Sequence, residues 1–233
     1  MDPIFSIDDE RHYLGNLLAE DDDEEESGPS VREPSHRISE KPSMSFNVLE
    51  GLRKIANGAG TSLTKAEVSK LIDIVSDLRT RTVFNDVPVN FENFPKFIDS
   101  QPDIAAEYLL YILTENPTKL DLFLETLMAL SLSVQTLITV NRFISRCEEM
   151  NYLIPNEFLH NFVSYCMTSC EQTHSNKILV NRLVRMVCVF FTTLLRLKSF
   201  DAKRRIPEMQ SFATSFSYVK EAVVLYQATL QFK

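Results

Sequence analysis

The sequence predicts an all-α fold: a compact multi-helix domain of antiparallel helical hairpins, for which HEAT-like stacking is one arrangement, with a disordered acidic N-terminal tail. Three observations predict it. All five glycines lie within the first 60 residues. Beyond them, apolar residues recur at helical spacing, and prolines stand where helices would begin. Phosphate-binding loops and nucleophile elbows rely on the backbone freedom of glycine, so this composition argues against an α/β enzyme.

The acidity of the chain is concentrated in its first 26 residues. That segment holds eleven Asp and Glu residues against Arg11 alone, whereas the rest of the chain holds 21 acidic and 23 basic residues. The run EDDDEEE is followed by SGPSVREPSHRISEKPS, which contains three prolines. Such a segment cannot bury enough apolar surface to offset its ordering entropy, so residues 1–44 are predicted to be a disordered acidic tail. Its role is either to solubilise the protein or to dock a partner through residues 4–18, IFSIDDERHYLGNLL.

The helical part of the chain divides into two segments. In residues 45–88, Thr64 and Glu67 have the spacing of a capping box, which predicts one amphipathic helix near 64–79 within a linker. Residues 89–233 are predicted to form the helical C-terminal domain. Its helices are expected near 93–99, 102–115, 117–129, 133–149, 155–173, 177–198 and 207–230.

The last two helices differ in their apolar pattern. The helix near 177–198 is apolar nearly all round, which is typical of a central helix packed on several sides. Only ten uncharged residues lie between Arg185 and Arg196, and a membrane span needs about 20, so we predict no membrane partner. The helix near 207–230 has a single apolar stripe, formed by Met209, Phe212, Phe216, Val219, Val223, Tyr226 and Leu230.

A short internal similarity is also present. The sequence VNRFI at 140–144 returns as VNRLV at 180–184, an offset of 40 residues. Repeats of stacked helical pairs have periods of about 40 to 47 residues, so a repeat origin is one hypothesis for the domain.

No catalytic or cofactor motif is found in the sequence. It contains no HExxH, GxSxG or Walker loop, and we therefore predict neither an enzyme nor a bound cofactor. Cys166, Cys170 and His174 follow each other at helical spacing and could offer three ligands to zinc. Structural zinc sites usually close with four ligands, so buried thiols are the preferred interpretation and no metal is predicted. The cysteines include no CxxC pair, and the start of the chain does not look like a secretory signal; both favour an intracellular protein.

Two groups of polar residues are candidates for contacts with other molecules. Asn181, Arg182 and Arg185 stand at the entrance of the apolar helix, where they either pair with a neighbouring helix or face a partner. A basic group, Lys203 to Arg205 above all, follows the end of that helix. It either complements the helix dipole or contacts RNA phosphates, so RNA binding by this patch is the alternative function.

Four stretches of the sequence resemble a known family. They are NFENFPKFIDSQPDIAAEYLLYIL, IPNEFLHNFVSYCMTSCEQ, NRLVRMVCVFFTTLLRLK and EMQSFATSFSYVKEAVVLY, and together they span about residues 90–230. They resemble the C-terminal domain of subunit eleven of the Ccr-Not deadenylase complex. The CEQ at 170–172 followed by NRLVRMVCVF is the most specific part. It adds Glu171 and Gln172 to Asn181, Arg182 and Arg185 as a polar set that either binds a partner or supports the fold.

The resemblance implies a non-catalytic, all-helical subunit that serves as a scaffold and docks an external adaptor. Its expected partners are subunit ten and the large scaffold subunit, with RNA reached only indirectly. The implied processes are mRNA decay by deadenylation, translational repression, RNA-mediated gene silencing and transcription regulation, in the cytoplasm and nucleus. Family members usually contact subunit ten and the scaffold through a large N-terminal helical domain. In this chain, residues 4–18 and the helix near 64–79 are the candidates for that role.

Overall fold

The computed structural model describes residues 47–173, 177–197 and 200–232, which contain helices and connections but no β-strand. Its compact unit begins at Asn47. The predicted disordered tail, residues 1–44, lies outside the described residues and stays a prediction. The α-helices of the described ranges are α1 (Val48–Ala56), α2 (Lys65–Ser76), α3 (Phe94–Ser100), α4 (Pro102–Glu115), α5 (Leu120–Ala129), α6 (Val134–Glu149), α7 (Asn156–Gln172), α8 (Lys177–Arg196), α9 (Ile206–Ser215) and α10 (Lys220–Thr229).

The helices pack in two layers that follow the order of the chain. In the first layer α4 packs against α6, α6 against α8, and α8 against α10. In the second, α3 packs against α5 and α5 against α7, while α9 pairs with α10. Stacked helical pairs bury a continuous core in this way, each pair contacting its neighbours. The predicted all-α domain of helical hairpins is confirmed.

The boundaries of most predicted helices lie within a few residues of the observed boundaries. The capping box is present: Thr64 Oγ1 accepts from the Glu67 amide, and a Glu67 carboxylate oxygen accepts from the Thr64 amide. Pro102 occupies the first turn of α4, where its missing N–H leaves no hydrogen bond unmade. The helix expected at 117–129 begins instead with a 3₁₀ turn, Pro117–Lys119, before α5.

The segment before residue 89 contains more structure than its sequence predicts. Only one helix, near 64–79, is expected in residues 45–88, and α1 is a second. The Asn47 side chain caps it by accepting from the amides of Leu49 and Glu50. Leu52 and Ile55 are fully buried where α1 packs against α3, while α2 packs against α4.

Helix α4 is enclosed on all sides by this arrangement. Every residue from Ile104 to Ile112 is buried. The ring of Tyr108 lies 5.2 Å from that of Phe84, 5.9 Å from Phe97 and 5.5 Å from Phe123, mostly edge to face. Burial raises the pKa of Tyr108 to about 12. The rings join the segment before residue 89 to α3, α4 and α5 in one core.

Helix α8 is the central helix that the sequence predicts at 177–198. Ten of its residues are buried, including Phe190 and Phe191. By length and composition alone α8 could cross a membrane, so the sequence argument from its length is wrong. In the domain, 61% of its most apolar 18-residue window is buried, as expected for a helix in the core.

The single helix predicted at 207–230 is wrong, because the chain turns between α9 and α10. Phe216 and Val219 stay buried on either side of this turn, and the Val219 amide donates to the Phe216 carbonyl at 2.9 Å. The turn rotates the following helix, so its buried residues are Ala222, Leu225 and Thr229. Three residues of the predicted buried stripe are exposed instead: Val223, Tyr226 and Leu230.

Candidate functional site

The predicted polar set lies where the first halves of α8 and α10 meet. Ile178, Arg182 and Arg185 follow each other at spacings of four and three, so they share one side of α8. Arg185 Nε lies 3.8 Å from an oxygen of Glu221 on α10. At the other end of both helices, Phe232 lines the same cavity as Leu195. The two helices therefore run parallel and side by side.

We call the exposed surface across these two helices the α8–α10 face. We define it by Ile178, Leu179, Arg182, Arg185 and Val189 of α8 and by Tyr218, Glu221 and Val224 on the α10 side. Arg182, Val189 and Glu221 are half-buried, and the others are exposed. Ile178 is 71% exposed and Tyr218 is 61% exposed. Single exposed apolar residues are normal, but several around a basic centre are typical of a surface that binds another molecule.

The ion pair between Arg185 and Glu221 is partly exposed to solvent. The Arg185 side chain is 44% exposed, whereas that of Glu221 is 12% exposed. Exposed ion pairs contribute on the order of 0 to 1 kcal/mol to stability, so Arg185 stays available to a partner. Asn181 is half-buried, and its Oδ1 has no hydrogen-bond partner among the described residues.

Glu171 and Gln172 lie at the end of α7, and both are exposed. Helix α7 packs against α8. The structure thus places Glu171 and Gln172 at the end of α7 and Asn181, Arg182 and Arg185 in the first half of the neighbouring helix α8. Arg185 contacts another helix through Glu221 of α10.

The cysteines are buried thiols in an apolar environment. Cys147, Cys166, Cys170 and Cys188 are all free and buried. Burial raises the pKa of the Cys170 thiol to about 12, and it raises the pKa of Cys166 and of Cys188 as well. A nucleophile or metal ligand needs the thiolate, so these thiols are poor candidates for either role. His174 lies outside the described residues, and within those residues no group of three metal-binding side chains occurs.

A buried ion cluster on α4 and α6 was not predicted from the sequence. Glu107 is fully buried, and three arginines surround its carboxylate. Arg146 Nε lies 2.9 Å from Oε1, Arg81 Nη2 lies 3.4 Å from Oε2, and Arg142 Nη2 lies 3.5 Å from Oε1. Charge-assisted hydrogen bonds of this kind are what make a buried carboxylate tolerable.

The cluster also fixes α2 on the first layer. Arg146 Nη2 donates to the Ser76 carbonyl at 3.0 Å, and Arg81 Nε donates to the Val75 carbonyl at 3.3 Å. Burial lowers the pKa of Arg81, although the negative charge of Glu107 acts in the opposite direction. Burial also disfavours the charge on Arg146, but the hydrogen bond to Glu149 and the nearby carboxylates outweigh it and raise its pKa. Sequence periodicity could not reveal this cluster, because Arg81 lies in the 3₁₀ turn Arg81–Asp86 and Glu107 lies in α4.

The two copies of the short sequence similarity lie on neighbouring helices. Asn141 and Arg142 lie on α6, and Asn181 and Arg182, 40 residues later in the chain, lie on α8, which packs against α6. The Oδ1 atoms of both asparagines are buried, with no hydrogen-bond partner among the described residues. Arg142 belongs to the buried ion cluster, whereas its counterpart Arg182 belongs to the α8–α10 face.

The basic group after α8 is partly used within the domain. Arg205 Nη2 donates to the His160 carbonyl at 3.0 Å, and its Nη1 contacts the Glu208 carboxylate. Lys203 and Arg204 are exposed. Lys203 borders a shallow cavity of about 380 Å³ that Leu195, Phe200 and Phe232 also line. The patch therefore offers fewer free cations to RNA than its sequence predicts.

Arg205 also makes the stability of the domain sensitive to pH through His160. Its Nε donates to His160 Nδ1 at 3.2 Å, so protonation of that nitrogen removes the acceptor. Burial lowers the pKa of His160, and the charges of Arg205 and Arg204 lower it further. The folded pKa is thus below that of the unfolded chain, about 6.5. The contribution of His160 to stability is complete above that value and is lost as the pH falls through the folded pKa.

We therefore expect the free energy of unfolding to decrease between pH 7 and pH 5, and the decrease to be smaller in His160→Gln. Urea denaturation at half-unit pH steps measures both proteins. Parallel pH profiles for the wild type and the variant would show that His160 does not carry this dependence.

These features define an all-helical protein whose best candidate site is a surface for binding another macromolecule. Residues 98–229 match the family model for CCR4-NOT transcription complex subunit 11. The chain belongs to this family, and the resemblance predicted from the sequence is confirmed. It is 27% identical over 137 residues to the CCR4-NOT transcription complex subunit 11 of Dictyostelium discoideum. The match covers 59% of this chain and 20% of that protein, so the chain spans about a fifth of the length of this curated relative.

Proposed function

We propose that this protein is a non-catalytic scaffold and adaptor-docking subunit of the CCR4-NOT complex. The observation that carries the proposal is the combination of family membership with the exposed, partly basic α8–α10 face. The buried thiols, whose pKa values are raised, support a non-catalytic role. A subunit of this kind contributes to the chemistry of the assembly by bringing other molecules to it.

The proposed partners within the assembly are subunit ten and the large scaffold subunit, and the α8–α10 face is left for an external adaptor. Through the assembly the protein would act in mRNA decay by deadenylation, in translational repression and gene silencing, and in transcription regulation. Both the cytoplasm and the nucleus are proposed locations. The partial use of Arg205 inside the domain favours this proposal over direct RNA binding by the patch at 203–205.

Affinity purification from native cells tests the proposal. We expect the tagged full chain to recover subunit ten and the large scaffold subunit, identified by mass spectrometry. A variant lacking residues 1–46 keeps the compact unit that begins at Asn47, so it is the matched partner for this experiment. Recovery by the full chain alone would assign the contact to residues 1–46, and recovery by both would assign it to the helical domain. Recovery of no CCR4-NOT subunit by either protein would contradict the proposal.

A further inference from the structure

The two surfaces that carry the repeated short sequence, around Arg142 on α6 and around Arg182 and Arg185 on α8, differ in exposure within the described part of the chain. Helix α2 packs on α4, and its carbonyls accept hydrogen bonds from Arg146 of α6 and from Arg81 of the following 3₁₀ turn, while Arg142 is only 19% exposed. The corresponding surface on α8 carries Arg182, the counterpart of Arg142. There Ile178 is 71% exposed and Arg185 is 44% exposed.

The charge of the open surface indicates what covers it. Arg182 and Arg185 belong to the α8–α10 face, and two further exposed cations, Lys177 and Lys220, stand at the starts of α8 and α10. The acidic residues at this end are Glu171 and Glu221. Cations therefore exceed carboxylates by two, and an acidic partner is complementary to the surface.

The apolar residues of the face indicate the shape of that partner. Leu179 and Val224 are nearly half exposed, and Tyr218 is more exposed still. Parallel helices such as α8 and α10 form a groove that receives the apolar side of a third helix. Helix α2 shows such packing elsewhere in the domain, since its Leu71 and Val75 are fully buried and it packs on α4.

We propose, as a step that rests on the proposed docking function, that the α8–α10 face binds an acidic amphipathic helix of a partner protein. The apolar side of the partner helix packs on Ile178, Leu179 and Val224. Its carboxylates, or the carbonyls of its last turn, accept hydrogen bonds from Arg182 and Arg185.

Two other occupants fit the face less well. RNA would bring phosphates close to Glu221, and aliphatic side chains such as Ile178 and Val224 give no platform on which bases stack. A second copy of the chain would place Arg182 and Arg185 near the same residues of its partner. Like charges that face each other across an interface cost binding free energy.

Site-specific cross-linking in native cells tests this inference. A photoreactive benzoylphenylalanine replaces Val224 in the tagged full chain, and the cross-linked segment is sequenced by mass spectrometry after irradiation. The control carries the same group at Leu153, which is 83% exposed and lies in the connection between α6 and α7. We expect Val224 to capture a segment with apolar residues at helical spacing and an excess of Asp and Glu, at a yield at least 10-fold above the control.

Charge variants and salt provide the second measurement. The pair Arg182→Glu with Arg185→Glu is expected to lower the yield at least 10-fold, whereas Lys203→Glu with Arg204→Glu is expected to change it less than 2-fold. Circular dichroism checks that both variants are folded. Raising NaCl from about 0.1 to 0.5 M should lower the wild-type yield in extracts, which needs no variant.

The outcomes separate this inference from the proposed function. Capture of RNA, of a second copy, or of a neutral or basic segment would overturn it, as would a yield equal to that of the Leu153 control. If CCR4-NOT subunits co-purify while Val224 captures no acidic helix, the inference fails and the proposed function stands. If an acidic helix is captured and no subunit co-purifies, the proposed function fails and the chemistry of the face stands.

Discussion

Replacement of Glu107 by alanine is expected to lower the free energy of unfolding by about 3–5 kcal/mol, which is the usual cost of removing one partner from a buried ion pair. Its carboxylate is the acceptor that Arg81, Arg142 and Arg146 share. Without it, the guanidinium of Arg81, which is only 3% exposed, keeps its charge in a buried position. A loss of this size is a large fraction of the stability of a typical domain.

Two further variants identify the cause of that loss. Glu107→Gln keeps the size and one acceptor but removes the charge, so it should cost less than alanine and still more than 1 kcal/mol, an order-of-magnitude expectation for a buried hydrogen bond to a charged group. Glu149→Gln is the matched control, because Glu149 contacts Arg146 from an exposed position and its loss should cost about 1 kcal/mol or less. Urea denaturation at pH 7 measures all three proteins. If Glu107→Ala and Glu149→Gln lost equal stability, the buried cluster would not be a main support of the fold.

The effect of Glu107 also bears on function, because the cluster joins the segment before residue 89 to the helical layer. Arg81 and Arg146 donate to carbonyls of α2, so loss of the cluster weakens the contacts that hold α2 on α4 and α6. Residues 47–88 are therefore part of the folded unit. Truncations that test complex assembly should end at residue 46 and leave α1, α2 and Arg81 intact.

Local signals explain which parts of this fold are readable from the sequence. The capping box of Thr64 and Glu67 and the proline at the start of α4 act through neighbouring backbone groups, so their spacing in the chain is enough to reveal them. The cap of α1 by Asn47 is a local signal too. The helix itself is not evident from the sequence, because Gly51 lies inside it and glycine has a low helix propensity.

Features that depend on distant parts of the chain are not readable in this way. The stripe through Val219, Val223 and Tyr226 has ideal helical spacing, yet the turn after Phe216 exposes its second half. The turn keeps Phe216 and Val219 in a core whose other residues come from distant positions. Likewise, the sequence shows Glu107 only as one polar residue on an apolar helix. The fold brings Arg146, 39 residues later in the chain, beside it.

The candidate site was predictable in composition but not in geometry. The sequence identifies Asn181, Arg182 and Arg185 as polar residues on an apolar helix, and it offers two meanings for them. Only the fold shows that Arg185 meets Glu221 of α10. Only the fold also shows that, within the described residues, Arg185 is 44% exposed on this surface whereas Arg142 on α6 is 19% exposed.

The second large effect is expected at the centre of the domain, where Phe190→Ala should lower the free energy of unfolding by about 3–5 kcal/mol. Phe190 is 3% exposed, and its ring lies 5.5 Å from that of Phe162 in an edge-to-face contact and 6.0 Å from that of Phe191. Alanine leaves a cavity between α7 and α8 that the surrounding helices can fill only in part. The cost therefore includes both the lost burial and the cavity.

Leu153→Ala is the control for this prediction, because Leu153 is largely exposed and its loss should change the free energy of unfolding by less than about 0.5 kcal/mol. Two-state urea denaturation compares the variants at one pH and temperature. A loss below about 1 kcal/mol for Phe190→Ala would mean that α8 does not pack as the centre of the domain. The α8–α10 face would then lose its rigid support, since α8 holds Arg182 and Arg185 in place through the same buried side that Phe190 fills.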